Sequence, residues 1–201
     1  SYGYGKIQLV LNEEVAGQRQ GGVIDIPGIK FYTGVMRGRF NPDDQQLYLC
    51  GMEAWATSQT MRTGDLYRIR YTGKTVPIPI ELNALENGIQ LTFTSKLEAE
   101  SAVTISNYEV KTWDLIRSSK YGSERHNVKT LTISEVKLTD DGKGITLLMD
   151  EIAPIDVMTI EYDISNESGT PLKGRVQNTI HVLGNDANGK KSVAMGSPQI
   201  N

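Results

Sequence analysis

The sequence predicts an all-β protein whose C-terminal half is an antiparallel β-sandwich. Three observations carry this. In Gly88-Ile89-Gln90-Leu91-Thr92-Phe93-Thr94, three apolar residues alternate with three polar ones. A period of two puts the apolar set on one face, the pattern of a strand with one side on a core and one in water. Met158, Ile160, Tyr162 and Ile164 repeat the pattern without a fault. Turn signals separate short apolar runs at spacings of roughly 8–15 residues, as in sandwiches.

The elements follow in order. Residues 6–11 read as a short strand, residues 12–20 as a polar loop, and residues 21–26 as a weakly alternating stretch closed by Pro27-Gly28. Residues 34–40 read as a strand, Asn41-Pro42-Asp43-Asp44 as a tight turn, and residues 47–51 as the returning strand. Residues 52–63 form a loop carrying a partly buried Trp55. Residues 66–71 are a strand whose alternation slips once, which suggests a bulge.

Val76-Pro77-Ile78-Pro79-Ile80 is extended, because each proline turns its predecessor away from helix. It reads as a linker or an edge strand. After the strand at 88–94, residues 98–101 offer one helical turn. Residues 108–113 are a strand, and residues 114–127 a long polar insertion holding Arg117, Tyr121, Arg125 and His126. Residues 131–133 and 136–138 are strands. Thr139-Asp140-Asp141-Gly142-Lys143 is a hairpin turn in which Asp-Gly supplies the positive φ, and residues 145–149 return. Asn166-Glu167-Ser168-Gly169 turns again before the last strand, marked by Val176, Asn178, Ile180 and Val182. This order divides the chain into residues 1–75, residues 76–183, and a loose tail at 184–201, rich in Gly, Asn and Ser.

The totals bound the function classes. The chain has 201 residues, 38% hydrophobic and 22% charged, enough apolar material for a buried core. A net charge of −3 gives no reason to expect nucleic acid, whose phosphates call for a basic surface. No apolar run approaches membrane-spanning length. Cys50 is the sole cysteine, so no intrachain disulfide forms. The start at Ser1-Tyr2-Gly3, without initiator methionine or signal peptide, suggests a mature or excised piece.

Two resemblances emerge. Gly38-Arg39-Phe40-Asn41-Pro42, Gln46-Leu47-Tyr48, Gly51, Trp55 and residues 64–74, ending in the Arg-Tyr-Thr-Gly-Lys run, resemble the last blade of a bacterial propeller family. That family is the sorbosone-dehydrogenase-like "membrane-bound dehydrogenase" type, often fused to cytochrome c. The match is close over 34–75 and looser to about 183. Two features depart from it. The chain has material for one or two blades where a propeller needs several, and it has no Cys-x-x-Cys-His motif, so neither haem nor quinone carries over. From residue 88 the order of strands and turns, with Glu151-Ile152-Ala153-Pro154 before a strand, resembles Ig-like modules of bacterial surface proteins. Together they imply a propeller-blade-like β segment followed by an Ig-like sandwich, in a periplasmic or extracellular protein.

Candidate chemistry is sparse. His126, His181 and Cys50 are too few for a zinc site. No Gly-x-Ser-x-Gly elbow marks a hydrolase. Asp140-Asp141-Gly142 and Asn185-Asp186-Ala187-Asn188-Gly189 carry oxygens suited to calcium but lack the full loop, and read as turns. Arg37, Arg39, Arg68 and Arg70 lie on strands, as structural ion pairs if matched with acids. Trp55, Trp113, Arg117, Tyr121 and Arg125 are the candidate surface. If residues 114–127 fold against 52–63, these groups converge where a sugar ring or a protein could stack; otherwise the tryptophans seal the junction of the two parts. The expected function is a non-catalytic structural or binding module without cofactor, attached to the rest of a larger polypeptide or to a protein partner. A carbohydrate-binding module and a part of a sugar oxidoreductase are the alternatives.

Overall fold

The architecture comes from a computed structural model, which describes residues 3–53 and 62–185. The chain is almost wholly β. Its strands are β1 (Gln8–Val15), β2 (Gln18–Asp25), β3 (Gly34–Phe40), β4 (Leu47–Met52), β5 (Gly64–Ile69), β6 (Pro79–Leu85), β7 (Gly88–Phe93), β8 (Tyr108–Leu115), β9 (Arg125–Leu131), β10 (Glu135–Leu138), β11 (Gly144–Leu148), β12 (Ile155–Ser165) and β13 (Pro171–Ile180). A six-stranded sheet, ordered β1-β2-β13-β12-β8-β9, faces a four-stranded sheet, β10-β11-β7-β6. A third sheet, β3-β4-β5, stands apart in its hydrogen bonding.

The sandwich is built from rows of apolar side chains. Ile89 of β7 lies between Ala84 and Leu147, and Leu91 between Leu82 and Ile145. All six are buried. On the facing sheet, cross-strand partners run Leu9, Ile24, Val176, Ile160, Val110 and Leu131, one from each strand. The two layers close on each other as one core. Each fully buried aliphatic side chain contributes about 1.5–3 kcal/mol, so these rows are the main source of stability.

The first hairpin differs from the sequence reading. Residues 12–20 are not a loop. β1 continues to Val15, Ala16 and Gly17 turn with φ of 49° and 80°, and β2 returns. Positive φ at both turn residues matches the twist of the strands they join. β2 then pairs with β13, from Ile24 opposite Val176 to Gly21 opposite Thr179. Residues 8–25 therefore complete the sandwich, across the boundary that the sequence placed near residue 75. Glu13 explains the misreading. Its side chain points inward and is only 7% exposed. The Ala84 N–H donates to its carboxylate at 3.0 and 3.2 Å, and Gln20 Nε2 donates at 2.8 Å. Gln20 Oε1 in turn accepts from the His181 and Val182 N–H groups. A charge that looks like loop composition is instead a polar staple joining β1, β2, β6 and the end of β13.

Other departures are local. β6 was not anticipated beyond its proline-rich start. The irregularity in the third sheet lies in β3, between Val35 and Arg37, while β5 pairs with β4 in unbroken register. Leu66 points outward and Tyr67 and Ile69 inward, so the apparent slip is an exposed leucine. The expected helical turn is α1 (Ala99–Val103), where the Glu98 side chain accepts from the Glu100 and Ser101 N–H groups. Gly184 is tied to β6 by backbone bonds with Ala84 and Glu86, so the start of the expected tail is fixed. Residues 186–201 lie outside the described residues.

Candidate binding surfaces

Trp113 sits on the outer face of the six-stranded sheet, opposite Val157. A register shift in the β8–β9 pairing puts one extra residue on β9, where Asn127 has φ 51°. β8 itself keeps its alternation, and Thr112 and Trp113 are both buried, one on each face. The Arg125 guanidinium carbon lies 4.3 Å from the Trp113 ring centroid. Such a cation–π contact contributes about 0.5–2 kcal/mol, and it leaves the ring 6% exposed. Of the five residues singled out from sequence, the fold brings Trp113 and Arg125 together. Arg117 and Tyr121 stand in solvent on the β8–β9 connection, and Trp55 lies outside the described residues. Leu115, Ile116 and Val128 are exposed nearby.

The other candidates resolve individually. His126 pairs across strands with Asp114, and the His181 backbone serves the Gln20 network. Asp141 accepts from Thr139 Oγ1 at 2.6 Å and from the Lys143 N–H at 2.9 Å. These bonds, with the Thr139 contact foremost, hold its carboxyl below the usual range. The carboxylate thus serves its own turn. The run at 185–189 lies outside the described residues beyond Asn185. Arg37, Arg39 and Arg68 share one face of the third sheet. They are not matched with acids as structural ion pairs: Arg39 donates to the Gly38 carbonyl, and Arg37 and Arg70 have no ion pair among the described residues. Arg68 acts on Asp44 only through its field.

A groove lies beside β13 that the sequence reading did not anticipate. β13 pairs with β12 along its length but with β2 only over residues 176–179. β2 ends at Asp25, and Pro27 and Gly28, the latter at φ 75°, turn the chain away. The gap is a groove of about 540 Å³, walled by Pro27, Pro77 and Ile78. Tyr162 forms part of its lining. Its ring meets Phe93 edge-on, centroids 5.6 Å apart, and the residue is 7% exposed. Its partner across the strands is Gly174, where any side chain would collide with the tyrosine hydroxyl. Burial pushes that hydroxyl up to about 12, and it has no hydrogen-bond partner among the described residues. At the rim, Lys6 Nζ donates to Asp25 at 2.7 Å and Gln8 Nε2 at 3.0 Å. The Lys6 bond, ahead of the Gln8 bond, holds the Asp25 carboxyl below its ordinary value. Arg175 lends its field to Asp25 but makes no hydrogen bond or ion pair among the described residues.

Comparison of the chain with protein-family models, curated proteins and solved structures gives no match. Functional inference therefore rests on these surfaces. Among the described residues, no group of three or more His, Cys, Asp or Glu is placed to hold a metal, and no helix is long and apolar enough to cross a membrane.

Proposed function

We propose that this chain is a non-catalytic structural and binding module of a larger exported bacterial protein of the propeller type, placed in the periplasm or outside the cell. The observation that carries this reading is the third sheet. β3-β4-β5 is a three-stranded antiparallel meander hydrogen-bonded to neither sandwich sheet. Its inner face carries Leu49 and Tyr67, and the Tyr67 ring meets Phe31 with centroids 4.7 Å apart. Yet Phe40 is 72% and Leu66 71% exposed. Propeller blades are four-stranded sheets packed around a common axis, and an exposed apolar side chain on each face of β3-β4-β5, Phe40 beside Ile69 on one and Leu66 beside Cys50 on the other, suits a sheet covered from both sides. The Arg-Tyr-Thr-Gly-Lys run that carries the resemblance follows directly from β5. The sandwich then serves as a rigid scaffold beside the blade. A glycan-binding role through stacked aromatics draws less support, because Arg125 covers Trp113.

The reading frame upstream of Ser1 in the source gene tests this. The expected result is a series of further blade-length β repeats in the same polypeptide. An upstream frame without such repeats overturns the propeller parentage.

A further inference from the structure

The strongest unexplained feature is the open edge of β13, which does not depend on the propeller reading. In an antiparallel ladder, alternate residues turn their N–H and C=O to opposite sides. Pro171, Lys173 and Arg175 therefore turn their backbone groups away from β12, toward the groove; proline has no N–H and the Ile24–Val176 pair engages the Arg175 carbonyl with Asp25, so the Lys173 N–H and C=O, the Pro171 carbonyl and the Arg175 N–H are left beyond the end of the β2 ladder. Unpaired strand edges are templates for another strand. Lysine often guards such edges, but Lys173 is drawn back across the sheet to Asp163, 2.7 Å away.

We propose that this groove receives an extended peptide segment, which adds to β13 as a strand in the place that β2 vacates. Backbone bonds to residues 171–175 supply the affinity common to strand addition, and side-chain contacts supply the selection. Tyr162 supplies a hydroxyl from the groove lining to a polar group of the incoming segment. Arg175, exposed and without an ion pair among the described residues although Glu161 lies opposite it across the strands, selects a carboxylate on it. Pro27, Pro77 and Ile78 favour β-branched apolar residues on the wall side. The occupant is thus a proline-free extended segment in which an acidic residue alternates with valine- or isoleucine-like ones.

The probe is a blocked pentapeptide alternating valine with glutamate, titrated into the isotope-labelled chain and followed by amide NMR. The expected result is saturable shifts at the amides of residues 172–175 and Val23, with β3-β4-β5 unmoved. Tyr162→Phe should weaken binding about threefold to tenfold, the worth of one hydrogen bond. Arg175→Glu, a surface change that spares the core, should weaken it by about tenfold and transfer preference to a valine–lysine peptide. N-methylation of the central residues should abolish binding. Three results overturn the proposal: no saturable shift from either peptide, undiminished binding of the N-methylated peptide, or competition by a linear hexasaccharide giving the same shifts. The last would make the groove a sugar cleft.

Discussion

Replacing Glu13 by alanine should cost about 3 kcal/mol. The carboxylate is buried and accepts from the Ala84 N–H and from Gln20 Nε2. Removing it leaves the Ala84 N–H without its acceptor, at a cost of about 1–3 kcal/mol for a buried donor. Gln20 keeps its bond to the Val182 carbonyl at 2.8 Å, so its loss is partial, and the vacated side-chain volume adds the remainder. For a chain of this size, about 3 kcal/mol corresponds to a fall in Tm of roughly 6–12 °C, read by circular dichroism. Glu14→Ala is the control: that neighbour is exposed and should move stability by under about 0.5 kcal/mol. Glu13→Gln separates charge from shape. Burial raises the Glu13 carboxyl above its ordinary 4.5, against the opposing hydrogen bonds of Gln20, Ala84 and Asn83. The folded state therefore binds that proton more tightly than the unfolded chain. The stability difference between wild type and Glu13→Gln should shift in favour of wild type as pH falls from neutrality toward 4.5, and be lost again as pH rises. A Glu13→Ala protein as stable as its Glu14→Ala counterpart would refute the staple.

Further outcomes follow from the same geometry. Leu91→Ala, at the centre of the four-stranded sheet, should cost about 2–5 kcal/mol by denaturant titration; a loss under 1 kcal/mol would place the core elsewhere. Gly174→Ala should destabilise by about 1–3 kcal/mol through collision with the Tyr162 hydroxyl, and Tyr162→Phe should recover part of that loss in the double variant. Strictly additive effects would show that the two do not touch. Phe40→Ser with Leu66→Ser should reduce dye binding and concentration-dependent association of the isolated chain, while leaving the sandwich melt unchanged.

What the sequence made legible was local periodicity. β7, β11, β12, β3 and β4 were readable because their inward residues are apolar and the turns beside them use Asp-Gly, Asn-Glu-Ser-Gly or Asn-Pro chemistry. β1 was cut short because its inward position is a glutamate, whose partners Gln20 and Ala84 lie elsewhere in sequence. Trp113 was noticed as an aromatic, but its cover by Arg125 depends on a register shift between β8 and β9. The groove was invisible for a related reason: it arises where β2 stops and β13 goes on, a relation between strands that neither segment carries alone. Gly174 between Lys173 and Arg175 was the one local hint, a glycine inside a strand marking a close approach.

Amide hydrogen exchange across the whole chain tests most directly whether residues 8–25 close the large sheet while leaving half of β13 bare. Amides bonded between β2 and β13 should exchange only with global unfolding, at the same free energy as those between β8 and β12, whereas groove-facing amides within 171–175 should exchange far sooner. A first hairpin that opens together with β3-β4-β5, apart from β12, would contradict the account.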